Sequence, residues 1–434
     1  MKHDTIVAIS TPRGVGGIAV ARLSGDDALP VALRHLSVSS LESRRATYCR
    51  FDELDDVVAV YYPKGYTGEP TIEISCHGSY YVQQALLQSL IDDGARMAEA
   101  GEFTQRAFLN GRLDLSQAEA VADLIDSVTP AQHRLAVSQL RGGYAQKLKI
   151  LRQQLLDLTS LLELELDFSQ EDVEFADRTQ LRQLLAILDS QITALLDSFR
   201  LGNALRRGVP VAIVGQPNVG KSSLLNALLD DDRAIVSDIP GTTRDTIEET
   251  LTFGGITFRF IDTAGLRHST DHVEHLGMER SRKAVSQADI VLYLNDVTKP
   301  WAEPEIDLEG KAVIMVYTKA DLLENPDRDG RLLVSTKTGF GLNELKKEIL
   351  NQFHAHVGNN SSGDILLSNA RHYEALKSVS RALDAVEQGI EGGLPADLVA
   401  VDLRDALYHL GTITGEVTSD DILGNIFGRF CIGK

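Results

Sequence analysis

Cysteine is scarce in this chain: three residues, Cys49, Cys76 and Cys431, stand far apart in 434 and form no C-x-x-C pair. Such spacing suggests neither a disulfide framework nor a zinc cluster, and fits a reducing, cytoplasmic compartment. Long apolar runs are missing as well. The opening stretch Met1 to Val7 has no apolar signal core, so a cytoplasmic chain without membrane spans is expected. Positive charge is in short supply: 43 Lys and Arg against 62 Asp and Glu leave a formal net charge of -19. That balance argues against a broad surface for gripping nucleic acid, and any polyanionic partner would lean on another protein. What the chain does have is apolar material, 43% of its residues, enough at this length for about two to three cores.

The most informative stretch runs from Val209 to Ser223, where an apolar run breaks into a glycine-bounded loop and then a helical pattern. Gly215, Gly220, Lys221 and Ser222 fit G-x-x-x-x-G-K-[ST], in the strand-before, helix-after context the motif requires. Glycines let successive backbone N–H groups turn inward around a phosphate. Lys221 neutralises β- and γ-oxygens, the Ser222 hydroxyl can ligate magnesium, and Asn218, Val219 and Ser223 complete the loop.

From the N-terminus, Thr5 to Ile9 and Ile18 to Leu23 read as strands around a glycine-rich turn at Gly14 to Gly17. No Lys-Ser follows that turn, so it is not a phosphate site. Val57 to Tyr62 and Thr71 to Cys76 continue the β signal, and Tyr80 to Ile91 is helical. This is an α+β domain, residues 1–116. From Gln117 the period becomes helical, with Leu148, Leu151, Leu155, Leu158 and Leu162 in one stripe and breaks at Pro130 and Gly142-Gly143. A first helical part spans 117–207. Short strands at Ile256 to Ile261, Ile290 to Leu294, Ala312 to Tyr317 and Leu332 to Val334 then alternate with helices, a doubly wound α/β domain over 208–357 with ligands at the carboxyl ends of its strands. A Gly-Asn-Ser linker at Gly358 to Gly363 precedes renewed helical periodicity in 358–434. The economical architecture inserts the α/β domain into one helical domain, which requires the two flanks to pack together.

Three more elements follow the phosphate loop in the order a GTPase uses. Gly241-Thr242-Thr243 follows the turn Asp238-Ile239-Pro240 and can supply Thr243 to magnesium. Asp262-Thr263-Ala264-Gly265 puts a carboxylate at the magnesium shell and a glycine N–H near the γ-phosphate. Thr318-Lys319-Ala320-Asp321 ends a later strand; Asp321 can accept both guanine N1–H and N2–H, a donor pair adenine lacks, and Ser335-Thr336-Lys337 completes the base pocket. GTPases usually carry Asn at the Thr318 position, and its amide ties the base pocket to the phosphate loop. Threonine is shorter, so guanine selectivity with somewhat weaker binding is expected. Leu266 stands where switch GTPases carry a water-orienting glutamine. Glu274 is the candidate for that task and Asp271 the alternative, and spacing does not decide between them.

With these residues assembled, the chain resembles the MnmE (TrmE) family of bacterial tRNA-modification GTPases over essentially its whole length. The carrying stretches are Asp4-Thr5-Ile6-Val7-Ala8, Gly101-Glu102-Phe103-Thr104 with Arg106 to Asn110, Leu113 to Ala120, the GTPase elements, and Cys431-Ile432-Gly433-Lys434. The resemblance implies a folate-binding N-terminal domain that also forms a homodimer, and a flavin-dependent partner, MnmG (GidA). Together the two proteins would add an aminomethyl or carboxymethylaminomethyl group to carbon 5 of the wobble uridine of certain tRNAs. The carbon would come from a tetrahydrofolate derivative, in its 5,10-methylene or 5-formyl form. Carried over by position, folate contacts fall on Arg22, Glu73, Arg112 and Lys434, and potassium coordination on Asn218, Ser237, Ile239 and Thr242, with magnesium on Ser222 and Thr243. Arg112 replaces the lysine often found there. Position alone would make Arg22 and Glu73 an ordinary strand salt bridge, and Cys431 a packed anchor; the resemblance implies that Cys431 takes part in the chemistry. A GTPase switch in ribosome assembly or translation is the alternative function, separable by whether the N-terminal domain retains folate.

Overall fold

The computed structural model describes residues 4–12, 14–168, 178–232, 249–261, 274–300, 303–304, 306–323, 331–357, 365–428 and 430–433. They fall into two compact units: residues 1–126, 137–189 and 375–434 form one, and residues 127–136 and 190–374 the other. Among the described residues no helix is long and apolar enough to cross a membrane.

The first unit is built on a six-stranded sheet: β1 (Ile6–Ile9), β2 (Ile18–Ser24), β3 (Thr47–Phe51), β4 (Asp55–Tyr62), β5 (Thr71–His77) and β6 (Arg96–Met97), in the order β3-β4-β5-β2-β1-β6. All neighbours are antiparallel except β1 and β6. Alternation decides the faces. Ala19, Ala21 and Leu23 share one face with Ile72, Ile74 and Cys76, and are buried with Val31 and Ala32 of helix α1 (Ala28–His35) and Leu86, Leu87 and Leu90 of helix α2 (Tyr80–Asp92). Arg22 and Glu73, directly paired in register, point to the other side. On that side Ile6 and Ala8 pack against Phe103 of helix α3 (Glu102–Leu109).

The helical sequence resolves, as the breaks predict, into α4 (Leu115–Asp126), α5 (Pro130–Leu140) and α6 (Gly143–Phe168), followed by α7 (Arg178–Arg207). The leucine stripe of α6 is buried, and that helix packs along a later one, Ala396–Thr414. An ion pair between Arg152 and Glu416 adds to this contact. The flanks on either side of the α/β insertion therefore meet, as the proposed architecture requires.

In the second unit β7 (Val209–Gly215) leads into α8 (Lys221–Asp232), and the strands β8 (Glu249–Phe253), β9 (Ile256–Phe260), β10 (Ile290–Asp296), β11 (Ala312–Thr318) and β12 (Leu332–Leu333) follow. Their order is β12-β11-β10-β7-β9-β8, parallel except for β8 against β9. Both faces are apolar, the pattern of a parallel sheet covered on two sides. Strand β10 runs two residues beyond the apolar stretch that predicts it. Asn295 and Asp296 stay in the sheet because Tyr317 and Thr318 pair with them, a partner that periodicity does not reveal. Helices α9 (Glu274–Gln287), α10 (Leu342–Val357), α11 (Ala370–Glu391), α12 (Ala396–Thr414) and α13 (Asp420–Phe427) complete the chain.

Candidate functional sites

The phosphate loop turns between β7 and α8 through three residues with positive φ: Gly215 at 149°, Asn218 at 60° and Gly220 at 99°. At Gly215 the demand is also steric, because a Cβ there would lie 2.5 Å from the carbonyl oxygen of Leu294. Lys221 bends back over the loop, and its Nζ donates to the carbonyls of Gly215 at 2.7 Å and Gln216 at 2.9 Å. Burial lowers the pKa of this ammonium. Four leucines, Leu224, Leu225, Leu228 and Leu229, hold α8 to the sheet beneath, so the N-terminal end of the helix, with Ser222, is fixed relative to the loop.

The segment Thr318-Lys319-Ala320-Asp321 follows at the carboxyl end of β11, beside that of β10. Thr318, almost fully buried, donates its hydroxyl to the Val219 carbonyl at 2.7 Å, with the Asn295 carbonyl at 3.3 Å. The shorter side chain still reaches the phosphate loop through its hydroxyl. Strand β11 carries it to within one hydrogen bond of the phosphate loop, and the two parts of the site are tied. Asp321 stands exposed on a 3-10 turn, Ala320–Leu322. The fully buried Ser335 donates to its carboxylate at 2.7 Å. That bond lowers the pKa of Asp321, and Lys337 contributes to the same effect. An ionised, braced acceptor facing outward suits a pair of N–H donors. Thr336 continues the turn beside Ser335.

Sequence reasoning missed Asp296. Its carboxylate accepts from Lys319 Nζ at 2.6 Å and from Thr298 through both N (3.0 Å) and Oγ1 (2.7 Å). The available signal was an acid closing an otherwise apolar strand. Several expected residues lie outside the described ones: Ser237, Asp238, Ile239, Pro240, Gly241, Thr242 and Thr243; Asp262, Thr263, Ala264, Gly265, Leu266 and Asp271; and Lys434. Glu274 opens helix α9, but its side chain is likewise outside them.

A second constellation lies in the first unit. Arg22 donates to Glu73 Oε1 through Nε at 2.9 Å and Nη2 at 2.8 Å. Its guanidinium carbon sits 5.6 Å from the ring centroid of Tyr66 and 5.8 Å from that of Phe103. The Tyr66 hydroxyl meets Thr104 Oγ1 at 3.0 Å, and burial raises the tyrosine's pKa. Arg112 lies with its stem against Gly68, whose Cβ would fall 3.1 Å from Arg112 Cγ. The C-terminal segment closes onto this unit. Phe427 and Phe430 pack with Leu115 and Ala118, Ile432 bridges Ala100, and a Cβ on Gly433 would lie 2.3 Å from the Ile9 carbonyl oxygen. Cys431 within this segment is exposed, which is not the environment of a packed anchor.

Two family models match the chain: one described as the MnmE helical domain over residues 115–431, and one described as the N-terminus of the GTP-binding protein TrmE over residues 5–112. A tRNA modification GTPase MnmE from Christiangramia forsetii is 45% identical over 473 residues, covering 100% of this chain and 99% of that protein. Its counterpart from Porphyromonas gingivalis is 47% identical over 467 residues, covering 99% and 98%. Among solved structures, a variant of Era from Aquifex aeolicus bound to GDP and aluminium fluoride aligns at 25% identity over 40% of this chain and 65% of that one, with a TM-score of 0.25.

Proposed function

This chain belongs to the MnmE family of tRNA modification GTPases, and we propose that it couples GTP hydrolysis in its α/β unit to a one-carbon transfer on tRNA in the unit that carries Arg22 and Cys431. In this reading residues 1–116 bind folate and form the dimer, 117–207 with 358–434 form the helical domain, and 208–357 hydrolyse GTP. The protein works in the cytoplasm. GTP sits on the phosphate loop with magnesium held by Ser222 and Thr243, and Asp321 reads the guanine. The loop fits this load: Asn218 presents its amide at an exposed, left-handed corner, a position from which its oxygen can meet a potassium ion together with Ser237, Ile239 and Thr242. A monovalent cation there would neutralise charge that an arginine finger meets in other GTPases.

The observation that carries the one-carbon reading is the tail. Ile432 pairs with Ala100 and Gly433 lies against Ile9; the strand partner of Ile9 is Ala21, next to Arg22. An exposed thiol is thus held on the same unit as an arginine flanked by two aromatic rings and a carboxylate. A flat, polar heterocycle with an acidic tail fits such a set: rings stack, Glu73 accepts from amine and amide N–H groups, and Arg22, Arg112 and Lys434 meet carboxylates. A tetrahydrofolate derivative supplies the one-carbon unit, and Cys431 serves as nucleophile or protein-bound base toward the substrate. The flavin and much of the tRNA grip come from the partner MnmG, which reconciles an acidic chain with a polyanionic substrate. The product is a wobble uridine carrying an aminomethyl or carboxymethylaminomethyl group at carbon 5. Dimerisation is supported by a strongly exposed apolar patch of Val15, Ile18, Tyr80 and Tyr81, drawn together by the hydrogen bond from Gly16 N to the Gly78 carbonyl.

The test is Cys431→Ser. It should leave GTP binding and potassium-stimulated hydrolysis near the parent level while abolishing wobble-uridine modification in the presence of the flavoprotein. Full modification by the serine variant would reduce Cys431 to a structural role. Failure of the purified chain to retain folate would favour a switch acting in ribosome assembly or translation instead.

A further inference from the structure

Asp296 is the sole acid of its strand and almost completely buried. A carboxylate in that position is tolerated only if every oxygen is occupied. Its two oxygens have separate duties. Oδ1 takes the N–H and hydroxyl of Thr298, which shapes the turn after β10, whereas Oδ2 takes the Lys319 ammonium at 2.6 Å. Burial alone would raise the carboxyl's pKa, but the bonds from Lys319 and Thr298 outweigh it and bring it to about 2. The group is ionised at any physiological pH.

Lys319 is the residue that needs holding. Its backbone is left-handed, φ 62° and ψ 36°, a conformation that a residue with a Cβ avoids unless its surroundings impose it. From that corner the chain enters the 3-10 turn that presents Asp321, and the turn is joined to the sheet by the bond from Ala320 N to the Val334 carbonyl. The register places Asp296 opposite Thr318, immediately before the corner. Anchoring the lysine's far end on the neighbouring strand therefore fixes the direction in which the chain leaves β11.

We propose that Asp296 is a positioning residue for guanine recognition, acting through Lys319 to fix the turn that carries Asp321 and so setting both affinity and base selectivity. The inference rests on the reading of Asp321 as the base acceptor.

The oxygens' division of labour supplies the test. Asp296→Asn keeps an oxygen for Thr298 but removes the charge that holds Lys319. GDP, IDP and ADP are titrated calorimetrically against the parent, Asp296→Asn, Lys319→Met and the double variant. IDP lacks the guanine 2-amino group, so the GDP-to-IDP ratio reports how well Asp321 is aimed. Asp296→Asn should weaken GDP binding about tenfold, the value of one charge-assisted hydrogen bond, and narrow the GDP-to-IDP ratio. The double variant should bind GDP no worse than the weaker single variant. Multiplying losses in the double variant, or an unchanged ratio with only a lower unfolding temperature, would make Asp296 a structural residue and overturn the proposal. A parent that binds ADP as well as GDP would overturn the reading of Asp321 together with it.

Discussion

Replacing Thr318 by valine removes one hydroxyl and keeps the shape of the side chain. In the parent that hydroxyl donates to the Val219 carbonyl at 2.7 Å inside the protein, with the residue 2% exposed. Losing the donor leaves a carbonyl of the phosphate loop short of a partner, a change of about 1–3 kcal/mol for a buried group. If all of it appeared in nucleotide binding, GDP affinity would fall by about 5- to 150-fold. Because the bond lies between two parts of the protein, some of the loss falls on stability instead, and the two readings should be made on the same samples. We expect calorimetric titration of Thr318→Val with GDP to show weakening within that range, and thermal unfolding without nucleotide to show a lower midpoint. Thr318→Asn is the companion. Since the threonine hydroxyl already ties the segment to the phosphate loop, the asparagine variant should change affinity less than the valine variant does. Unchanged GDP binding in Thr318→Val, or tightening of tenfold or more in Thr318→Asn, would refute the claim that the hydroxyl substitutes for the amide.

Hydrolysis should fall steeply in Glu274→Ala while GTP binding holds, measured as turnover and affinity side by side; the opposite assignment follows if Asp271→Ala has that effect and Glu274→Ala does not. Turnover should be higher in potassium than in sodium at matched ionic strength, and equal rates would count against a cation at Asn218. The first unit should show acid sensitivity centred on Asp4, whose pKa falls from the ordinary 3.8 to about 2, chiefly through the hydrogen bond from Arg96 and also through Arg106. A depressed carboxylate contributes stability above about pH 4 and loses it as pH falls toward 2, at most about 2 kcal/mol here because the group is partly exposed. The difference in urea midpoint between the parent and Asp4→Asn should therefore be present at neutral pH and shrink below about pH 4; a constant difference would show that the shape of Asp4, and not its charge, is what matters.

The parts of this protein that were legible in its residues are those written in local pattern. Glycines, a lysine and a hydroxyl at fixed spacing, bounded by an apolar strand and a leucine-rich helix, are enough to place the phosphate loop. Strand β3 and helix α1 lay outside the reading. Strand β3, Thr47–Phe51, is a short edge strand whose alternation of Cys49 and Phe51 with Tyr48 and Arg50 is too brief to stand out. Side-chain length at Thr318 does not tell which carbonyl its hydroxyl meets; the bond to Val219 follows from the backbone positions that decide reach. Asp296 is not legible in local pattern because its partner Lys319 is 23 residues away, just past the end of the neighbouring strand. Such pairings come from register, and register belongs to the sheet as a whole.

The seam between the tail and the N-terminal sheet has a consequence for the kinds of variation the protein can carry. On one side of it a Cβ at Gly433 would stand 2.3 Å from the Ile9 carbonyl oxygen, and on the other a Cβ at Gly101 would stand 2.5 Å from the carbonyl oxygen of Phe427. Both obstacles are main chain, and both glycines have positive φ, 98° and 69°. Every other amino acid brings a Cβ, so a library covering these two positions should lose function uniformly, with no gradation by size, charge or polarity. Gly424, in helix α13 with open space around it, should instead grade its substitutions in the ordinary way. The seam is thus a place where natural drift has no intermediate steps: two glycines hold it, and neither can be traded for a near relative.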